Sequence, residues 1–319
     1  MSMIQKLTWL GIALLFIACG DSPKKVQNQI QTPRVYGTSL QKPIQINNYH
    51  DNTTLYMPKS LKKETKLPLI LLVPGWGSQN ASDYESLLRF IASQGYIVAY
   101  AKDAWEYSPK NFIDRFSNLL AEETVARHID KSKLGVVGHS AGGGLAVPVL
   151  EYFSSHGYGD SGRFIFIMDP WFPFEMTQKR FQNIPKNTHL LIQLYLKGTQ
   201  TDPRIPLTIH DKLSFLGDSH RDYQLYHDIT HGYPQGARPF SDMQIILRPL
   251  DALMEYTFHN NQEAYPIAME LGSDVPLQKH QETESLSPSE HYAYPCYGQL
   301  EPLKKVILEY GVDYCSILR

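Results

Sequence analysis

Charge of one sign is scarce in this chain. Its 30 Lys and Arg stand against 32 Asp and Glu, a formal net charge of −2. A protein held on a nucleic-acid backbone by charge needs a basic excess, so no nucleic-acid partner is expected. Long apolar runs are scarce too. The run from Leu7 to Ala18 is about a dozen residues, short of the roughly 20 that a membrane-spanning helix requires. The three cysteines allow a single disulfide at most. Internal repeats and low-complexity blocks are also lacking. With 42% apolar and 19% charged residues, the chain has the composition of an ordinary globular protein rather than a disordered one.

The first informative feature is the N-terminus. Lys6, the apolar run to Ala18 and then Cys19 have the length and order of a secretory signal. The ending Leu15-Phe16-Ile17-Ala18-Cys19 resembles a bacterial lipoprotein signal, in which the cysteine takes the lipid. A plain cleaved secretion signal and a retained anchor are the alternatives. Residues 1–19 are therefore expected to direct export, with a membrane anchor on Cys19, and residues 20–35 to form a polar tether. Cys296 and Cys315 then remain as a pair. A disulfide between them would stabilise by roughly 3 kcal/mol, in keeping with an oxidising compartment.

From Tyr49 onward, β and α signals alternate. Leu69 to Val73 is a continuous apolar run closed by Pro74-Gly75, as suits a strand buried on both faces. Further strands are expected at Thr53–Met57, Tyr96–Tyr100, Leu134–Val137, Phe164–Met168, His189–Leu196 and Tyr223–Tyr226. Helices are expected at Ser82–Ser93, up to about His128, at Ala141–Phe153 and at Phe240–Phe258. Residues 102–116 read as irregular and aromatic before the helix that ends near His128. This alternation predicts an α/β domain over 36–260, with a mostly parallel sheet covered by helices on both faces. Residues 261–319 read as a C-terminal extension that opens with a polar loop over 261–290.

The strongest motif is Gly138-His139-Ser140-Ala141-Gly142. It fits G-x-S-x-G, and it follows an apolar strand and opens a helix, as a nucleophile elbow must. The turn at such a serine is sharp, and Gly138 and Gly142 lack the Cβ atoms that would collide there. Ser140 is thus the expected nucleophile. An oxyanion hole would use the Ala141 N–H and one from the loop after an earlier strand. Pro74-Gly75-Trp76-Gly77 is placed to supply the second, from Trp76. Among 12 histidines, His231 best fits a base on a loop after the last strand. His227 is its rival, and the pair has a metal-type i, i+4 spacing, but that needs a helix and this stretch reads as strand and loop. The orienting acid is Asp169 or Asp202. Both follow strands, both keep the order Ser, Asp, His, and spacing does not separate them.

Three segments carry a family resemblance: Val73-Pro74-Gly75-Trp76-Gly77, Ile91-Ala92-Ser93-Gln94-Gly95-Tyr96-Ile97-Val98 and Gly138-His139-Ser140-Ala141-Gly142-Gly143. Over roughly residues 50–258 the chain resembles the platelet-activating-factor acetylhydrolase branch of the α/β-hydrolases, a group that also includes dienelactone hydrolases and bacterial cutinases. Met168-Asp169-Pro170-Trp171-Phe172-Pro173 and Phe240-Ser241-Asp242 are similar to that branch as well. The resemblance implies Asp169 as the acid, whereas Asp202 occupies the position typical of cutinases.

The expectation is therefore a monomeric, exported or lipid-anchored serine hydrolase that cleaves carboxylic esters with no metal or organic cofactor. Its substrate would be a short-acyl ester, including acetylated phospholipid, with Trp105 and Trp171 lining the substrate pocket. A cutinase-like polyester hydrolase is the alternative enzyme. A non-catalytic, ligand-binding surface lipoprotein is the alternative of another class.

Overall fold

The computed structural model describes residues 34–38, 42–102, 108–197, 201 and 204–270. Cys19, Trp105, Asp202, Cys296 and Cys315 lie outside the described residues, as do the leader, the tether and the tail from residue 271.

In chain order the regular elements are β1 (Ile44–Tyr49), β2 (Thr53–Pro58), β3 (Leu67–Val73), α1 (Glu85–Ser93), β4 (Ile97–Ala101), α2 (Pro109–Ala121), α3 (Glu123–Ala126), β5 (Ile129–His139) and α4 (Ala141–Ser155). They continue with β6 (Gly162–Met168), α5 (Gln178–Gln182), β7 (Thr188–Lys197), α6 (Arg204–Lys212), β8 (Arg221–Thr230), α7 (Gln244–His259) and α8 (Tyr265–Met269). Among the described residues, eight strands form one sheet in the order β1-β2-β4-β3-β5-β6-β7-β8. β2 runs antiparallel to both of its neighbours, and every pairing from β4 to β8 is parallel. This mixed, mostly parallel α/β sheet is consistent with the α/β-hydrolase fold.

The unbroken apolar strands are explained by a core on each face of the sheet. In β3, Leu69, Leu71 and Val73 enter one buried cluster, and Ile70 and Leu72 enter the other. Alternate residues of a strand point to opposite faces, so β3, covered on both sides, is apolar at every position from Leu69 to Val73. The first cluster is completed by α2 and α4, through Phe112, Phe116, Leu145 and Val149. The second is completed by α1 and α7, through Leu87, Phe90, Ile246 and Leu250. Each such side chain, fully buried, contributes roughly 1.5–3 kcal/mol.

Local signals set the helix ends. Ser108 caps α2 by accepting the Lys110 N–H at 3.2 Å, with Pro109 in the first turn. Asn260, left-handed at φ 54°, ends α7. The chain departs from the expected loop after residue 260. A 3-10 turn at Gln262–Ala264 leads into α8, and Ala264, Ala268 and Met269 are buried in the second cluster. The packed core therefore extends past residue 260. Among the described residues, no helix is long and apolar enough to cross a membrane.

Candidate active site

The elbow at Ser140 follows from how β5 hands over to α4. His139 is the last residue of the strand, Ala141 is the first of the helix, and Ser140 alone makes the turn, at φ 55° and ψ −126°. A non-glycine residue held there costs on the order of 1–3 kcal/mol and needs surrounding restraint. The restraint is present. The Ser140 N–H donates to the Met168 carbonyl at 3.0 Å, and the Ser140 carbonyl accepts N–H bonds from Gly143 at 2.9 Å and Trp171 at 2.7 Å.

The glycines of the motif are steric requirements. A methyl group at Gly142 would sit 2.2 Å from the carbonyl oxygens of Val73 and Pro74. One at Gly144 would sit 1.6 Å from the Phe172 carbonyl oxygen. The start of α4 is thereby wedged between the loop after β3 and the loop after β6. Gly75 lies against the elbow, since a Cβ there would be 3.3 Å from that of Ser140. Ala141, as the first helix residue, has an N–H with no acceptor inside the helix, and it lies at the positive end of the helix dipole.

The β6 strand ends by placing Asp169, at φ 43°, in a buried position where both carboxylate oxygens are engaged. The His231 Nδ1–H donates to Oδ2 at 2.5 Å. Oδ1 accepts the Thr201 hydroxyl at 2.7 Å and the Tyr195 N–H at 3.3 Å. With the imidazole proton on Nδ1, the Nε2 lone pair of His231 is the basic one. Behind Asp169 lies a buried polar network. Gln193 accepts the Tyr195 hydroxyl at 2.7 Å and donates to Gln224 at 3.0 Å and to the Ile245 carbonyl at 2.6 Å. It ties β7 and β8 to the first turn of α7.

Ser140 and His231 line one cavity of about 300 Å³. Trp76 and Trp171 supply its aromatic walls, and Thr201, Gln235, His139 and Gly75 complete it. Of the residues singled out from sequence, the structure gathers Ser140, Ala141, Asp169, His231, Trp76 and Trp171 at the C-terminal ends of the strands. β8 runs to Thr230, so His231 is the first residue beyond it. His227 lies inside that strand, in the stretch where the β7–β8 register shifts. Sequence reasoning missed Thr201, Tyr84, Gln235 and the role of His139. Only His139 carried a signal, as the variable residue before the serine. Thr201 is the immediate neighbour of Asp202, the rival acid.

No family model matches the chain, and no curated protein matches it in sequence.

Proposed function

We propose that this chain is a serine hydrolase that cleaves carboxylic esters through an acyl-enzyme. The observation that carries the reading is the 2.5 Å contact of Asp169 with the His231 Nδ1, with His231 and Ser140 facing one cavity. Ser140 Oγ attacks the ester carbonyl carbon, and its proton passes to the His231 Nε2. The Ala141 and Trp76 N–H groups receive the developing oxyanion. Collapse expels the alcohol, which takes the proton from His231. Water then attacks the acyl-enzyme carbonyl as His231 takes its proton, and collapse breaks the bond to Ser140 Oγ, releases the carboxylic acid and returns the proton to Oγ. Asp169 holds the imidazole in the required tautomer and stabilises its cation.

A cavity of about 300 Å³ is at the small end of ligand sites and has room for a short acyl group, as the acetylhydrolase-like reading requires. Export and a lipid anchor on Cys19 belong to the same proposal.

The test is labelling by a fluorophosphonate, together with turnover of p-nitrophenyl esters from acetate to palmitate, on wild type and Ser140→Ala. Labelling and acetate turnover in the wild type, both abolished in Ser140→Ala, are expected, a loss of about 10⁴-fold or more. A folded wild type that neither labels nor turns over would leave a ligand-binding protein as the better reading.

A further inference from the structure

Beneath the site lie two buried side chains that take no part in the acyl-transfer scheme. Tyr84, which ends the 3-10 turn before α1, is fully buried, and His139 is 2% exposed. Three hydrogen bonds run through them. The Gly75 N–H donates to the Tyr84 hydroxyl oxygen at 2.8 Å. The Tyr84 hydroxyl and His139 Nδ1 are 2.7 Å apart. His139 Nε2 is 2.8 Å from the His231 carbonyl oxygen.

Both ends of this chain are backbone groups of fixed polarity. An amide N–H only donates and a carbonyl only accepts. The His139 proton must therefore sit on Nε2, which leaves Nδ1 as acceptor and makes the Tyr84 O–H its donor. Every bond points the same way, from Gly75 to His231, an arrangement in which each bond polarises the next. Burial, and after it the nearby His231, pushes the His139 imidazole down to about 3. The ring is thus neutral at ordinary pH, as Nδ1 must be if it is to accept.

The two ends of the chain meet the chemistry on opposite sides. Gly75 precedes Trp76 on the loop after β3, and His231 follows β8. In the sheet, β5, β6 and β7 stand between those two strands. We propose that Tyr84 and His139 are positioning residues that tie the oxyanion loop to the base loop across the floor of the site. The inference rests on the hydrolase reading above. It matters because a displacement of about 1 Å in a reacting group can cost on the order of 100-fold in rate.

The test uses the full chain and p-nitrophenyl acetate, with wild type, Tyr84→Phe and His139→Gln, and nitrogen-15 spectra of the wild-type histidines. Tyr84→Phe is expected to lower kcat roughly 10- to 100-fold while KM stays within about twofold, a split that mere loosening of the fold would not produce. His139 is expected to show the Nε2–H tautomer with no titration down to pH 5. Should Tyr84→Phe fail to fold, His139→Gln reads the tie from its other end, and the tautomer is read on the wild type itself. Turnover in both variants within about twofold of an active wild type would overturn the tie alone, and so would an Nδ1–H tautomer. A wild type inert to both ester and fluorophosphonate would overturn the hydrolase reading, and with it the catalytic purpose of the tie.

Discussion

Two buried aspartates stand at opposite ends of the sheet in opposite circumstances. Asp169, at the C-terminal end of β6, is 3% exposed, and Asp222, near the start of β8, is 7% exposed. Asp169 receives the Thr201 hydroxyl, the Tyr195 N–H and the His231 Nδ1–H. Asp222 receives the N–H of Tyr223 at 2.9 Å on one oxygen, and its other oxygen is buried without a hydrogen-bond partner among the described residues. Burial, with the Glu270 carboxylate adding to it, pushes Asp222 up to about 8. Similar burial thus goes with unlike surroundings: Asp169 has hydrogen-bond donors on both oxygens, and Asp222 has one on a single oxygen. A carboxylate that is to steady an imidazolium must be the first kind.

The largest expected effect sharpens this contrast. Asp169→Asn should lower kcat for p-nitrophenyl acetate by about 10⁴-fold, since an amide in place of the carboxylate favours the wrong imidazole tautomer. Asp222→Asn should leave kcat within about twofold. If both substitutions left turnover intact, or both destroyed it, the distinction drawn between the two sites would be wrong.

Next in size is a stability effect confined to Asp222. Its folded value is raised, so its contribution is fully present below the unfolded value of about 3.9 and is lost as pH rises through about 8. Thermal melts of the wild type should therefore fall as pH rises toward 9. Asp222→Asn removes the ionisation and should be the more stable protein at pH 9, by on the order of a few kcal/mol. Parallel melting curves for the two proteins across that range would show that Asp222 ionises without penalty.

The smallest effect concerns one donor to the acid. Thr201→Val keeps the shape and deletes the hydroxyl that donates to Asp169 at 2.7 Å. Loss of one bond to a charged group, on the order of 1.5–3 kcal/mol, should appear as a drop in kcat of roughly 10- to 150-fold with KM little changed. An unaltered rate would mean that the Tyr195 N–H and His231 suffice to hold the carboxylate.

Much of the fold was legible because the interior strands are apolar on both faces. The runs at Leu69–Val73 and Phe164–Met168 have no other comfortable place in a soluble domain. The missed elements have physical reasons of their own. β1 is an edge strand that reads Ile-Gln-Ile-Asn-Asn-Tyr, and none of its residues is fully buried, so its apolar signal is weak. α6 carries Pro206 near its start and α8 carries Pro266, and both are short. The chain beyond residue 260 reads as polar, yet Ala264, Ala268 and Met269 are buried in the same cluster as α7.

Sequence by itself determined the alternation of strands and helices, the elbow at Ser140 and the small residues around it, because these are properties of neighbours along the chain. A sharp turn needs glycine wherever its neighbours sit. Spacing could not choose between Asp169 and Asp202, because an acid is defined by what its oxygens face rather than by where it falls in the chain. Tertiary structure brought Asp169 to His231, set Thr201 behind it, and ran a one-way chain of hydrogen bonds from Gly75 through Tyr84 and His139. Apart from Gly75 and Tyr84, which are 9 residues apart, those partners are separated by tens of residues, as Tyr84 and His139 are by 55. Only the packing of β3, β5 and β8 into one sheet places them within reach of a bond.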